Sequence, residues 1–203
     1  MFLNNKHYKL CKLFSEMLYK EEMPTRQQIE EKLTKVGDFV KIDFLTNCLK
    51  KNLDYDTRKF ALVRLSGIYE NKQLFPEAGK LMVSAADINT SFQGKISDFL
   101  KAGDLYIQGR KFLEAEASFN KAVSCANENQ KVAIKIKKKE SYWKQATVYM
   151  KKDQRKHALD IFERLLEIES DPLERKKIND NLLDLYKKLG KVREYSNLLK
   201  VMN

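Results

Sequence analysis

Apolar residues along this chain recur three and four positions apart, the period of an amphipathic helix, and no alternating run reads as a strand. Phe99, Ala102, Gly103 and Tyr106 form one such stripe; Phe112, Ala115, Phe119, Ala122 and Val123 form the next. Between them Gln108-Gly109-Arg110-Lys111 interrupts the pattern, with Gly109 expected just past a helix end. Small residues alternate with large ones on the two stripes, as they do where antiparallel helices interdigitate. A mid-helix glycine costs about 0.8–1 kcal/mol relative to alanine, so Gly103 predicts close approach by the neighbouring helix.

The same arrangement returns along the chain. Tyr69, Tyr106, Tyr149 and Tyr186 are 37, 43 and 37 residues apart. Nine residues after each comes Ala78, Ala115, Ala158 or Tyr195, and thirteen after comes Met82, Phe119, Phe162 or Leu199. A helical pair of this size cannot bury its own apolar face, so the recurrence predicts pairs stacked on one another. Residues 87–94 are expected to form a longer connection, and the basic run 131–140 to lengthen the first helix of the third unit backwards. Ser170-Asp171-Pro172 reads as an N-cap with proline in the first turn. Upstream, Tyr8, Cys11, Phe14 and Leu18 predict a helix over about 3–19. Thr25 with Gln28 predicts a capping box, and Asp38 the cap of a helix carrying Phe39, Ile42, Leu45 and Leu49. The expectation is an all-α chain, with 1–55 as degenerate helical pairs or a cap and 56–203 as four helical pairs of one solenoid.

Ala102-Gly103, Tyr106, Phe112, Ala115, Phe119 and Ala122 resemble the tetratricopeptide repeat. Leu65-Ser66, Tyr69, Phe75, Ala78, Met82 and Ala85 match nearly as well; Gln145-Ala146, Tyr149, Ala158, Phe162 and Leu165 follow, with Arg155 replacing an aromatic. The fourth unit retains Tyr186, Gly190, Leu199 and Met202 but has Tyr195 where a small residue belongs. The resemblance implies a right-handed α-solenoid of antiparallel helix pairs. Its spacings exceed the roughly 34 residues of the plain repeat, as in alpha-SNAP-type adaptors. It further implies that the first helix of each pair lines a concave face, with Val63, Leu100, Asp104, Ile107, Trp143 and Met150 as partner-binding residues. Chaperone-binding members grip a terminal carboxylate with Lys, Arg and Asn; here those places hold Val63/Gly67, Leu100/Asp104 and Trp143/Thr147, which excludes that mode. An apolar inner strip with Trp143 as its anchor is what remains.

Charge adds a second candidate surface. Residues 131–203 contain 19 Lys and Arg against 11 Asp and Glu, and so hold most of the net charge of +11. Much of the excess falls in the turns within pairs: Arg110 and Lys111; Lys151, Lys152, Arg155 and Lys156; Lys187, Lys188, Lys191 and Arg193. Stacking would align these turns as a basic edge that attracts acidic protein, nucleic-acid phosphate or an anionic membrane surface. The aromatics occupy repeat-core positions instead of interleaving with the cations, which favours a protein or peptide ligand, acidic at this edge, over nucleic acid. Cys11, Cys48 and Cys125 are odd in number and far apart, suiting reduced thiols in a cytoplasmic protein. With two histidines and no paired Cys or His spacing, no metal site is expected. No cofactor motif, catalytic motif, secretory leader or apolar membrane-spanning run is present in the sequence. The expected function is a non-catalytic scaffold or adaptor, with a nucleic-acid-binding helical repeat as the alternative.

Overall fold

The structure is a computed structural model that describes residues 23–202. The stripe from Tyr8 to Leu18, with Cys11, lies outside the described residues. These fold into ten helices: α1 (Arg26–Thr34), α2 (Asp38–Lys50), α3 (Tyr55–Asn71), α4 (Phe75–Ile88), α5 (Phe92–Gln108), α6 (Phe112–Ser124), α7 (Glu128–Lys151), α8 (Arg155–Ile168), α9 (Pro172–Lys188) and α10 (Val192–Met202). No strand occurs among them.

Each tyrosine of the repeat marks the same turn. Four residues beyond it the backbone is left-handed, with φ of 60° at Gln73, 58° at Arg110, 54° at Asp153 and 69° at Gly190. The following amide, of Leu74, Lys111, Gln154 or Lys191, donates to the tyrosine carbonyl at 2.8–2.9 Å. The left-handed residue's own N–H donates to the carbonyl just after the tyrosine. This pair of bonds is the Schellman arrangement, which satisfies the last helical carbonyls and reverses the chain in three residues. Gly109 falls just past the end of α5 as expected, with an ordinary φ of −81°, and it is Arg110 that takes the left-handed conformation. Gly109 is small for another reason: a Cβ there would lie 2.9 Å from the Pro76 ring of the preceding pair.

The predicted contact at Gly103 is present, because a Cβ would stand 2.6 Å from Phe119 Cζ. Gly79 serves the next pair similarly, with the Tyr106 ring 3.0 Å from where its Cβ would be. Through such contacts Ala78, Met82, Ala102, Tyr106, Phe119, Tyr142, Ala146, Tyr149, Phe162 and Tyr186 belong to one buried core. Ion pairs tie successive units together, Lys101 to Glu70 at 2.6 Å, Lys121 to Asp87 at 3.2 Å and Arg110 to Asp160 at 2.7 Å, while Lys139 to Glu169 at 2.6 Å joins the two helices of the third pair. Glu169 is almost wholly buried and also accepts from the amides of Ser170 and Asp171. Burial would raise its pKa, but the Lys139 ammonium and these amides outweigh that and hold it below the usual range.

Boundaries follow the chain's capping chemistry in most places. Thr25 and Gln28 form the capping box, and Asp171 caps α9 by accepting from Leu173 and Glu174. The run 131–140 does lengthen α7, to 24 residues. The longer connection expected over 87–94 is absent: α4 continues to Ile88 and α5 begins at Phe92, so the extra residues extend helices. Gly37, not Asp38, is the cap residue of α2, and Asp38 instead pairs with Lys41 and Lys72. Phe39 leaves the predicted stripe and is 78% exposed, with the Lys72 ammonium 4.5 Å from its ring centre. Ile29, Leu45 and Cys48 pack with Leu53, Ala61 and Leu65, so α1 and α2 close onto α3; Tyr69 touches both this cluster and the main core.

Candidate functional site

The first helices of the pairs border two clefts. One, of ≈ 520 Å³, lies between α5 and α7 and is lined by Asp104, Ile107 and Gln108 from α5 and by Ser141, Lys144, Gln145, Val148 and Tyr149 from α7. Arg110, Lys152, Gln154 and His157 close its turn end. The other, of ≈ 840 Å³, lies between α1 and α3 and is lined by Leu33, Phe60, Val63, Gly67 and Ile68 among others. There the guanidinium groups of Arg26 and Arg64 lie 4.7 and 5.0 Å from the Phe60 ring centre.

Asp104 is the chemically unusual group. Burial pushes its carboxyl above the usual range, and the Ser141 hydroxyl, which donates to it, together with Lys101, Lys144 and Lys137, only partly offsets this. A carboxylate held half-desolvated inside a cleft is poised for a donor from outside. Arg110 is fixed across the units, donating to Asp160 and contacting His157 Nε2 at 3.4 Å. His157 Nδ1 is buried with no hydrogen-bond partner among the described residues.

The structure divides the expected inner strip. Asp104 lines the α5–α7 cleft, and Val63 lines the separate α1–α3 cleft. Ile107 is 1% exposed, so its side chain belongs to the core and offers a partner nothing beyond the cleft floor. Leu100, Trp143 and Met150 are half-buried against the core, and Trp143 sets its edge on Phe162 with centroids 5.3 Å apart. Ser141, Lys144 and Val148 were not singled out in the sequence, and Gln145 only as a repeat residue. Their spacing of three, one and three marks one flank of α7, about 150° round from Trp143. Gly109 meets Pro76, Arg110 meets Asp160, and a depression joins the turn 153–157 to Leu189. Among the described residues no group of three His, Cys, Asp or Glu side chains could hold a metal ion, and no helix is long and apolar enough to cross a membrane.

Antiparallel helix pairs joined by identical turns and packed unit upon unit define an all-α repeat solenoid. The family model of the tetratricopeptide repeat matches residues 139–172, from within α7 through α8 to the start of α9. The chain is thus an all-α helical-repeat protein, one segment of which is similar to the tetratricopeptide repeat. Solved structures similar to it include BtubC (BKLC) from P. vanneervenii, 16% identical, with a TM-score of 0.38 over 85% of this chain and 74% of that one. Two structures of a putative kinesin light chain with nearly identical TPR-like repeats from Podosopora anserina, one of them a Q17M variant, are each 15% identical with a TM-score of 0.37. They cover 86% of this chain and 89% and 90% of theirs. No curated protein matches the sequence.

Proposed function

We propose that this protein is a non-catalytic, cytoplasmic scaffold that holds a segment of a protein partner in the cleft between α5 and α7, steered by the basic edge of its turns. The observation that carries this reading is Asp104, kept partly desolvated in an open cleft with amide side chains and cations around it. A partner's backbone amide or basic side chain there would complete its hydrogen bonding. The edge attracts acidic stretches of the same partner at longer range. The free thiols of Cys48 and Cys125 accord with a reducing compartment.

Two variants test it on partners recovered by affinity capture and verified with purified proteins. Val148→Trp, which fills the cleft, should abolish binding of the captured segment while the melting curve stays within a few degrees. Asp104→Asn should weaken binding and yet stabilise the fold. With a folded pKa above the ordinary 3.8, Asp104 contributes most stability below that value and progressively less as pH rises through its folded pKa. The asparagine variant should lack that decline. Partners that bind both variants as tightly as the parent would rule out the cleft.

A further inference from the structure

Each carboxylate along the third and fourth turns is already engaged by a nearby cation. Asp153 holds Arg155 at 2.7 Å, Asp184 holds Lys188 at 2.7 Å, and Glu194 holds Lys191 at 3.4 Å. Lys152, Lys156, Lys187 and Arg193 are exposed and have no carboxylate within 4 Å among the described residues. Between these two turns a depression of ≈ 380 Å³ is lined by Leu189 and by Gln154, Lys156, His157 and the paired Asp153 and Arg155. Leu189 is itself packed on the core, so this apolar patch is rigidly backed.

We infer that this depression docks an acidic protein segment which inserts one apolar side chain beside Leu189 and sets its carboxylates on the surrounding cations. The inference rests on the scaffold reading and names the chemistry of the ligand at its edge. Four unpaired like charges repel one another, and carboxylates from outside relieve that repulsion. Exposed ion pairs alone are weak and screened by salt, so selectivity comes from the apolar residue in the dent. A polynucleotide supplies charge but gains no stacking here, because the rings of Tyr149 and Tyr186 are buried beneath the turns.

The test measures anisotropy of short fluorescein-labelled Asp/Glu-rich peptides against the full chain, at low and physiological salt. One peptide has a central leucine, a second has serine there, and a single-stranded oligonucleotide of equal charge is the third probe. The leucine peptide should bind roughly tenfold more tightly than the serine peptide. The double variant Lys156→Glu/Lys187→Glu, checked for an unchanged melting curve, should weaken it by more than tenfold. Equal affinity for the two peptides, an oligonucleotide bound as tightly as the leucine peptide, or no binding at millimolar peptide overturns the inference. Peptide binding that survives the charge reversal but is lost in Val148→Trp also overturns it, while leaving the α5–α7 cleft reading intact. Absence of partner binding at both surfaces defeats both readings.

Discussion

A Cβ on Gly103 would stand 2.6 Å from the Phe119 ring, closer than packed carbons approach, so this glycine answers to its neighbour and not to its own helix. The prediction is a sign conflict. Alanine gains about 1 kcal/mol of helix propensity at this position but loses about 1–3 kcal/mol to overpacking. Gly103→Ala should therefore destabilise the protein in denaturant titration, and a more stable variant would refute the contact. Next to it, Asp104 turns away from the core into the cleft, where burial raises its pKa and Ser141 from the next pair supplies a hydrogen bond. Trp143 shows the limit of reading single residues. Its aromatic bulk suits a partner anchor, but its ring edge rests on Phe162 within the same pair.

At the scale of the element, the four identical turns explain why the tyrosine recurs. It is the third residue from the end of each first helix, where its carbonyl receives the closing hydrogen bond. Its ring is largely buried at Tyr106, Tyr149 and Tyr186. The Tyr186 hydroxyl donates to Glu163 of the preceding unit at 2.9 Å, and burial followed by that carboxylate pushes its pKa up to about 12. Only the fourth turn places glycine at the left-handed residue; the others use Gln73, Arg110 and Asp153. A side chain in that conformation costs about 1–2 kcal/mol. Gly190→Ala should thus destabilise by about 1 kcal/mol and Gln73→Gly should stabilise, the gain reduced by the greater freedom of glycine in the unfolded chain. Thermal melts of the two variants moving in the same direction would contradict the shared turn geometry.

Across the whole molecule, each unit is supported by its neighbours, so protection depends on position in the stack. The helices from α5 to α8 supply most of the fully buried side chains, whereas α10 has no buried residue and exposes Val192 and Val201. Amide exchange should accordingly be slowest in α5–α8 and fastest in α10, which opens without unfolding the rest. Uniform protection from α3 to α10 would instead indicate a single cooperative block.

The helical period, the four-fold recurrence, the capping box at Thr25, the cap at Asp171 and the tight spot at Gly103 were all legible in the residues. The first four follow from local backbone chemistry or from the helical period, and the last from the cost of a glycine inside a helix. What the chain alone left undecided is where the stack opens. The clefts depend on the angle at which α7 meets α5, and a shift of one residue moves a side chain about 100° around its helix. That is why Ser141, Lys144 and Val148 face the cleft while Trp143 faces Phe162. Tertiary structure also sorted the cations. Arg110 meets Asp160, fifty residues away, and Lys156 meets no carboxylate among the described residues, although the two look alike in the sequence.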